Sequence, residues 1–191
     1  MLGPILEGLR IRLEPPRPEY FATYLRWFAD PAITRYLVQR HPPSLRQEEA
    51  WYERMARSRN DVVWAIILPA TGLPIGATGL HRIDWRNRHA FNGILLGERA
   101  EWGKGYASAA IRLETAYAFR ELNLEKILTE VYAPNAASRR TMERAGFRSC
   151  GLRRRNVFID GEWHDEWLGE ILREEWTPEG GAGPSETMQT R

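Results

Sequence analysis

Cysteine and lysine are nearly missing from this chain. Its 191 residues hold one cysteine, Cys150, which excludes an internal disulfide framework and a thiolate zinc cage. Lysine stands only at 104 and 126, so 25 of the 27 basic side chains are arginines. Coding bias in a GC-rich genome explains that skew. The alternative, binding to RNA or to an acidic partner, calls for a clear basic excess, and a net charge of +2 does not supply it. Long apolar runs are absent too: nothing approaches the about 18 residues of a membrane span. The first dozen residues carry Glu7 and Arg10, where a secretion signal needs its apolar stretch. These absences point to a soluble cytoplasmic protein with no membrane partner and disfavour nucleic acid as one.

What is present fits one domain. The chain is long enough to bury about 70% of its unfolded surface without a staple. A single domain is expected over 1–176. From Thr177 the sequence Thr-Pro-Glu-Gly-Gly-Ala-Gly-Pro-Ser has little to bury, so 177–191 is expected to be a disordered tail.

Alternation of apolar and polar residues over 8–14 predicts a half-buried strand, ended by prolines 15, 16 and 18. A helix is predicted over 19–29, stopped at Asp30-Pro31 because the residue before proline avoids the α region. Ser44 with Gln47 has capping-box spacing and opens a helix to about Arg57. Strands follow at 62–68, 75–83 and 90–96, with turns at Thr71-Gly72 and Asn87-Arg88. The period then changes: Tyr106, Ala110, Leu113 and Tyr117 mark an amphipathic helix. A strand at 126–132, a helix from Ala136 to Ala145 closed by Gly146, and a hairpin over 147–173 turning at Asp160-Gly161 complete the reading. Only the strands at 90–96 and 126–132 are joined by a helical crossover, so that pair should be parallel and right-handed. A ligand would favour its carboxyl ends.

The segment Gly97-Glu-Arg-Ala-Glu-Trp-Gly-Lys-Gly-Tyr-Ala-Ser108 links that first strand to the crossover helix. Glycines 103 and 105 let the backbone approach a ligand, and the helix start offers free N–H groups and a positive dipole end. This is an anion site suited to a pyrophosphate, with Lys104 able to add one charge. It is not a nucleotide-triphosphatase loop, which needs four residues between its glycines and Ser or Thr after the lysine. Nor does it carry the third glycine of the dinucleotide fingerprint, where Ser108 stands.

With Leu95-Leu96-Gly97, Trp102-Gly103-Lys104-Gly105-Tyr106-Ala107, Asn135-x-x-Ser138 and Ala145-Gly146-Phe147 in place, the chain resembles the GCN5-related N-acetyltransferases (GNAT). Its nearest likeness is the Rim-type branch, which acetylates N-terminal amines of ribosomal proteins. The likeness covers about 8–173. It departs from the family pattern at Ala100, where a leading polar residue belongs; Arg99 lies one position early. The resemblance implies an α/β fold of mixed α+β type, with a mixed, mostly antiparallel sheet splayed between two parallel strands and helices on both faces. It implies that acetyl-CoA is the cosubstrate and that no metal takes part. Backbone groups of Ile94, Leu95 and Leu96 would meet the pantetheine arm. The residues from Trp102 through Gly103, Lys104, Gly105, Tyr106 and Ala107 to Ser108 would meet the pyrophosphate.

Asn135 after Pro134 reads by itself as a helix N-cap, and Ser138 as a solvated serine. The resemblance assigns Asn135 to the pantetheine and Ser138 to the leaving sulfur. Many relatives carry a tyrosine seven residues after that asparagine; here the position is Met142, which fits the serine arrangement. Candidate bases for the acceptor amine are His81, Asp84, His164 and Asp165, each equally readable as a surface or turn residue. His164-Asp165-Glu166 lacks the second histidine of a metalloprotease motif. Cys150 is expected to pack in or near a strand, the eight tryptophans to line core and pocket, and Trp102 to touch cofactor. Arg153 to Arg155 is either a solvated run or a docking surface.

The expected activity is transfer of acetyl from acetyl-CoA to a primary amine, with a protein N-terminal α-amine first among acceptors. Small amines (polyamine, antibiotic or amino acid) are the alternative within that activity. A non-catalytic acyl-CoA-binding module is the alternative outside it. A homodimer is compatible with the sequence.

Overall fold

The computed structural model describes residues 1–177; of the expected tail, all but Thr177 lies outside them. Thirteen elements follow in chain order. β1 (Leu6–Glu7) and β2 (Arg12–Glu14) precede α1 (Phe21–Phe28), α2 (Pro31–Thr34) and α3 (Leu45–Arg57). Then come β3 (Val62–Leu68), β4 (Leu73–Asp84), β5 (His89–Leu96), α4 (Tyr106–Arg120), β6 (Lys126–Tyr132), α5 (Ala136–Arg144), β7 (Arg148–Ile159) and β8 (Glu162–Leu172).

The eight strands form one sheet in the order β1-β2-β3-β4-β5-β6-β8-β7. Every named pair is antiparallel except β5 with β6. That parallel pair is joined through α4, as the crossover requires. Its register covers only His89↔Lys126, Ala90↔Ile127 and Phe91↔Leu128. Beyond Phe91 the two strands separate, and the β5 edge from Asn92 to Leu96 has no β6 partner. The sheet is therefore split at the carboxyl end of the parallel β5–β6 pair.

Neighbouring residues on a strand face opposite sides of the sheet, and the two sides carry different helices. Trp64 stacks edge-on against Tyr117 of α4, centroids 5.5 Å apart, in a large apolar cluster with Ile66, Leu80, Ile111, Phe119 and Ile127. On the other side Phe21, Tyr24, Trp27 and Ile33 form a second cluster, with Tyr52 and Leu95 against it. Ile94 packs into the first cluster and Leu95 into the second.

Two local readings need correction. The expected strand over 8–14 is a tight hairpin instead: Gly8 donates to the Ile11 carbonyl at 3.1 Å, and Leu6–Glu7 folds back on Arg12–Leu13. Asp30-Pro31 ends α1 but also starts α2, since proline suits the first helical position and the Asp30 carboxylate caps Ala32 at 2.8 Å. The Ser44 capping box is present in both directions.

Candidate active site at the split of the sheet

The loop after β5 turns through two glycines with left-handed backbone, Gly103 (φ 76°) and Gly105 (φ 84°), the latter capping α4. Such φ values disfavour any residue with a side chain. They bring the chain to the start of α4 without a side chain in front of its free N–H groups. The cation expected there was Lys104. It is instead paired with Glu101, Nζ to Oε2 3.0 Å. A cation the sequence reading missed, Arg10, reaches the same place from the β1–β2 turn. Its guanidinium lies 4.9 Å from the Tyr106 ring centre, and a Cβ on Gly105 would come within 3.4 Å of its Nη1. Among the described residues Arg10 has no ion pair. A helix N-terminus, two open glycines and a free guanidinium together can take a polyanion such as a pyrophosphate.

Arg99 does not substitute for the missing polar residue at 100: it pairs with Asp30 at 3.4 Å. The Trp102 indole N–H donates to the Leu96 carbonyl at 2.9 Å, so Trp102 folds back over the end of β5 and engages one of the groups expected to face a cofactor. Ser108 is buried, its Oγ 3.5 Å from the Thr141 carbonyl. That side chain ties α4 to α5, leaving its backbone as the part available near the helix start.

Asn135 and Ser138 follow β6, beside the split. The Asn135 side chain accepts from the Ser138 N–H at 3.1 Å, which is the N-cap reading. Its amide nitrogen and the Ser138 hydroxyl make no hydrogen bond among the described residues. Met142 is buried in the core, so that position presents nothing polar to the split.

A cavity of about 680 Å³ opens on the α1 and α3 side of β4 and β5. Tyr24, Trp27 and Phe28 of α1, Glu48 and Trp51 of α3, and His81, Gly93, Ile94 and Leu95 of the sheet are among its walls. Glu48 was also missed. It is buried, no hydrogen bond or ion pair engages its carboxylate among the described residues, and burial raises its pKa. The Tyr24 hydroxyl is buried without a partner. Burial, then the negative charge of nearby Glu48, pushes its pKa upward. A signal existed for Glu48. It falls in the stripe 48, 51, 52, 55 of a helix whose other members are Trp, Tyr and Met, an i, i+3, i+4, i+7 pattern with one carboxylate in it.

Of the four expected bases, only His81 lines this cavity. Its Nδ1 lies 3.1 Å from Asp61 Oδ1. Asp84 is a turn cap: its carboxylate accepts from the Asn87 N–H at 2.8 Å, the Asn87 side chain at 2.7 Å and the Arg86 N–H at 3.0 Å, and those bonds lower its pKa. Asp165 accepts from the Arg155 N–H at 2.8 Å, and His164 faces Val157 across the last hairpin. Arg153 is held by Glu130 at 2.9 Å and Glu166 at 2.7 Å, so it is committed within the sheet. Cys150 stands on β7 but is exposed, not packed. No group of side chains able to hold a metal ion occurs among the described residues, and none of their helices is long and apolar enough to cross a membrane.

The family model described as an acetyltransferase (GNAT) domain matches residues 10–148. A probable N-acetyltransferase of Bacillus subtilis, YjcK, is 43% identical over 83 residues, covering 44% of this chain and 45% of that protein. A putative ribosomal N-acetyltransferase of the same organism, YdaF, is 36% identical over 104 residues, covering 54% and 56%. The chain thus spans about half the length of each. The crystal structure of a spermidine N-acetyltransferase from Vibrio cholerae in complex with CoA and spermine superposes with a TM-score of 0.80 at 23% identity, covering 87% of this chain and 97% of that one. That likeness is one of fold.

Proposed function

The chain belongs to the GNAT acetyltransferase family, whose cosubstrate is acetyl-CoA, and we propose that it acetylates primary amines, with a protein N-terminal α-amine as the acceptor. The observation that carries the acceptor reading is the composition of the cavity beside the split. Its walls are largely aromatic and, among the described residues, hold one carboxylate with no hydrogen bond or ion pair, Glu48, and one buried hydroxyl with no partner, Tyr24. A single ammonium can be held by that carboxylate and by the aromatic faces, while the apolar remainder suits a small N-terminal side chain. A polyamine carries several positive charges, and the cavity wall offsets Glu48 with Arg54. An α-amine also titrates near ~8, against ~10.4 for a lysine side chain, so it needs less help to become a nucleophile.

On the cosubstrate side, the residues fit the group. The N-terminus of α4 with Gly103, Gly105 and Arg10 would hold the pyrophosphate. The unpaired β5 edge at Ile94 to Leu96 and the free amide nitrogen of Asn135 would hold the pantetheine, as an added strand is held. Ser138 would donate its hydroxyl proton toward the departing sulfur. Bound there, acetyl-CoA supplies an activated acetyl group to the mouth of the acceptor cavity.

Thiol release measured side by side at pH 8 tests the acceptor. Peptides with a free small N-terminal residue are expected to show a higher kcat/KM than spermidine or than N-terminally blocked lysine peptides. Glu48→Gln should raise the peptide KM and leave acetyl-CoA affinity unchanged. Faster turnover of spermidine would move the acceptor to the small amines.

A further inference from the structure

We propose that His81, oriented by Asp61, is the general base that takes the proton from the acceptor amine. This rests on the acetyl-transfer reading above and adds a residue to it.

The imidazole lies over two glycines that face each other in register, Gly79 of β4 and Gly93 of β5. A Cβ on Gly79 would come within 2.9 Å of His81 Nε2, and one on Gly93 within 3.3 Å of the same atom. Side chains at either position would evict the ring. The pair of glycines thus makes a bed for it on the cavity side of the sheet, next to Ile94 and Leu95 at the split.

The other ring nitrogen is committed. Nδ1 meets Asp61 Oδ1 at 3.1 Å, and Asp61 also accepts from Ser58 Oγ at 2.7 Å and from the Arg82 N–H at 3.3 Å. An ionised carboxylate can only accept, so Nδ1 carries the hydrogen and Nε2 keeps a lone pair that no hydrogen bond engages among the described residues. Burial opposes ionisation of Asp61, but the bonds from Ser58, His81 and Arg82 outweigh it and lower its pKa. Among the described residues the charged or titratable groups that line the same cavity are Tyr24 from α1 and Glu48 and Arg54 from α3; Asp61 before β3 touches the ring, and the Met1 ammonium is bonded to the Asp61 carbonyl at 2.5 Å. Among the described residues no other imidazole lines the cavity.

The step balances. Nε2 removes one proton from R–NH3⁺, giving R–NH2. The amine nitrogen forms a bond to the acetyl carbonyl carbon as the carbon–sulfur bond breaks. The second proton leaves the nitrogen and ends on sulfur as the CoA thiol, and the imidazolium returns the first to solvent. Acetyl-CoA and R–NH3⁺ become the N-acetyl amide, the CoA thiol and one proton.

His81→Gln should lower kcat by about 10²–10⁴-fold, the range for removing a general base, with acetyl-CoA affinity by calorimetry unchanged, which also reports a folded protein. That variant should react only with amine that is already neutral, so its kcat/KM should rise with pH around the amine's own value, near ~8. Asp61→Asn should lower kcat less than His81→Gln and mix the ring tautomers, because an amide can donate to Nδ1 as well as accept from it. Long-range ¹⁵N–¹H spectra of the unaltered chain at pH 8 should show the Nδ1–H tautomer. A His81→Gln enzyme with unchanged kcat, or an Nε2–H tautomer, overturns the base while leaving acetyl transfer standing. Failure of the unaltered chain to release thiol with any amine overturns the acetyl-transfer reading and the base with it.

Discussion

Arg10 and Tyr106 lie 96 residues apart in sequence, and the guanidinium of one stands 4.9 Å from the ring centre of the other at the first residue of α4. A cation beside a helix N-terminus opposes the helix dipole by about 0.3–1 kcal/mol, roughly what the contact with the ring returns. Arg10 therefore does little for the folded state by itself and becomes useful when an anion arrives.

Arg10→Ala is accordingly expected to leave Tm nearly unchanged while weakening acetyl-CoA binding. Loss of one charge-assisted hydrogen bond is worth about 1.5–3 kcal/mol, or roughly 10- to 150-fold in Kd. Calorimetric titration at two salt concentrations checks this. The unaltered chain should be the more salt-sensitive of the two.

Gly105→Asp tests the same loop from the other side. The left-handed backbone at 105 tolerates Asp at a cost of about 1–2 kcal/mol, so the variant should fold with a modestly lower Tm. Its carboxylate would sit beside Arg10 and in front of the amides at the start of α4, abolishing acetyl-CoA binding. Gly105→Asn places the same bulk on the same backbone without charge and should retain much of the affinity. Equal binding by both variants would remove the pyrophosphate from this loop.

Ser138→Ala should lower kcat by tens- to about a thousand-fold, at or below the usual general-acid range. The cap bond from the Ser138 N–H to Asn135 survives the change, so α5 and acetyl-CoA affinity should be untouched. Asn135→Asp keeps that cap, removes the amide donor and adds a negative charge that suits the helix start, so it should weaken acetyl-CoA binding without lowering Tm. Together the two variants separate capping from chemistry by thiol-release kinetics and thermal melts.

Local signals in the sequence were enough for the frame of this site and not for its charged partners. β3 and β6 have the bounds that periodicity implied, the Ser44–Gln47 box formed, and one crossover implied one parallel pair. Each of these depends on residues within a few positions of one another. The glycines at 103 and 105 were legible for the same reason. Arg10 was not, because the alternation over 8–14 does not distinguish one strand from a hairpin, and only the hairpin carries residue 10 to α4. Asp61 was not either: its pairing with His81 exists only once β4 folds across the loop before β3. Glu48 stood in an apolar helical stripe, where a lone carboxylate is already a mark of a site or of a buried partner.

Glu114 lies beneath that site on α4 and makes stability depend on pH. It is buried, with Thr78 Oγ1 2.5 Å from one carboxyl oxygen and Asn92 Nδ2 2.7 Å from the other. Burial raises its pKa from 4.5 to about 7 against the pull of those two bonds. A carboxyl whose folded pKa exceeds its unfolded one binds more protons when folded, so stability falls as pH rises. The loss begins near the unfolded value, 4.5, and is complete above the folded value, about 7; it amounts to about 3 kcal/mol in total. Glu114→Gln removes the titration and keeps both partners: its oxygen can accept from Asn92 Nδ2 while its amide donates to Thr78 Oγ1, whose own hydrogen goes to the Gly93 carbonyl. Urea unfolding at pH 5 and pH 8 should therefore give a sloping stability for the unaltered chain and a flatter one for Glu114→Gln, with the variant the more stable at pH 8. Parallel pH dependence in the two proteins would place the titrating group elsewhere.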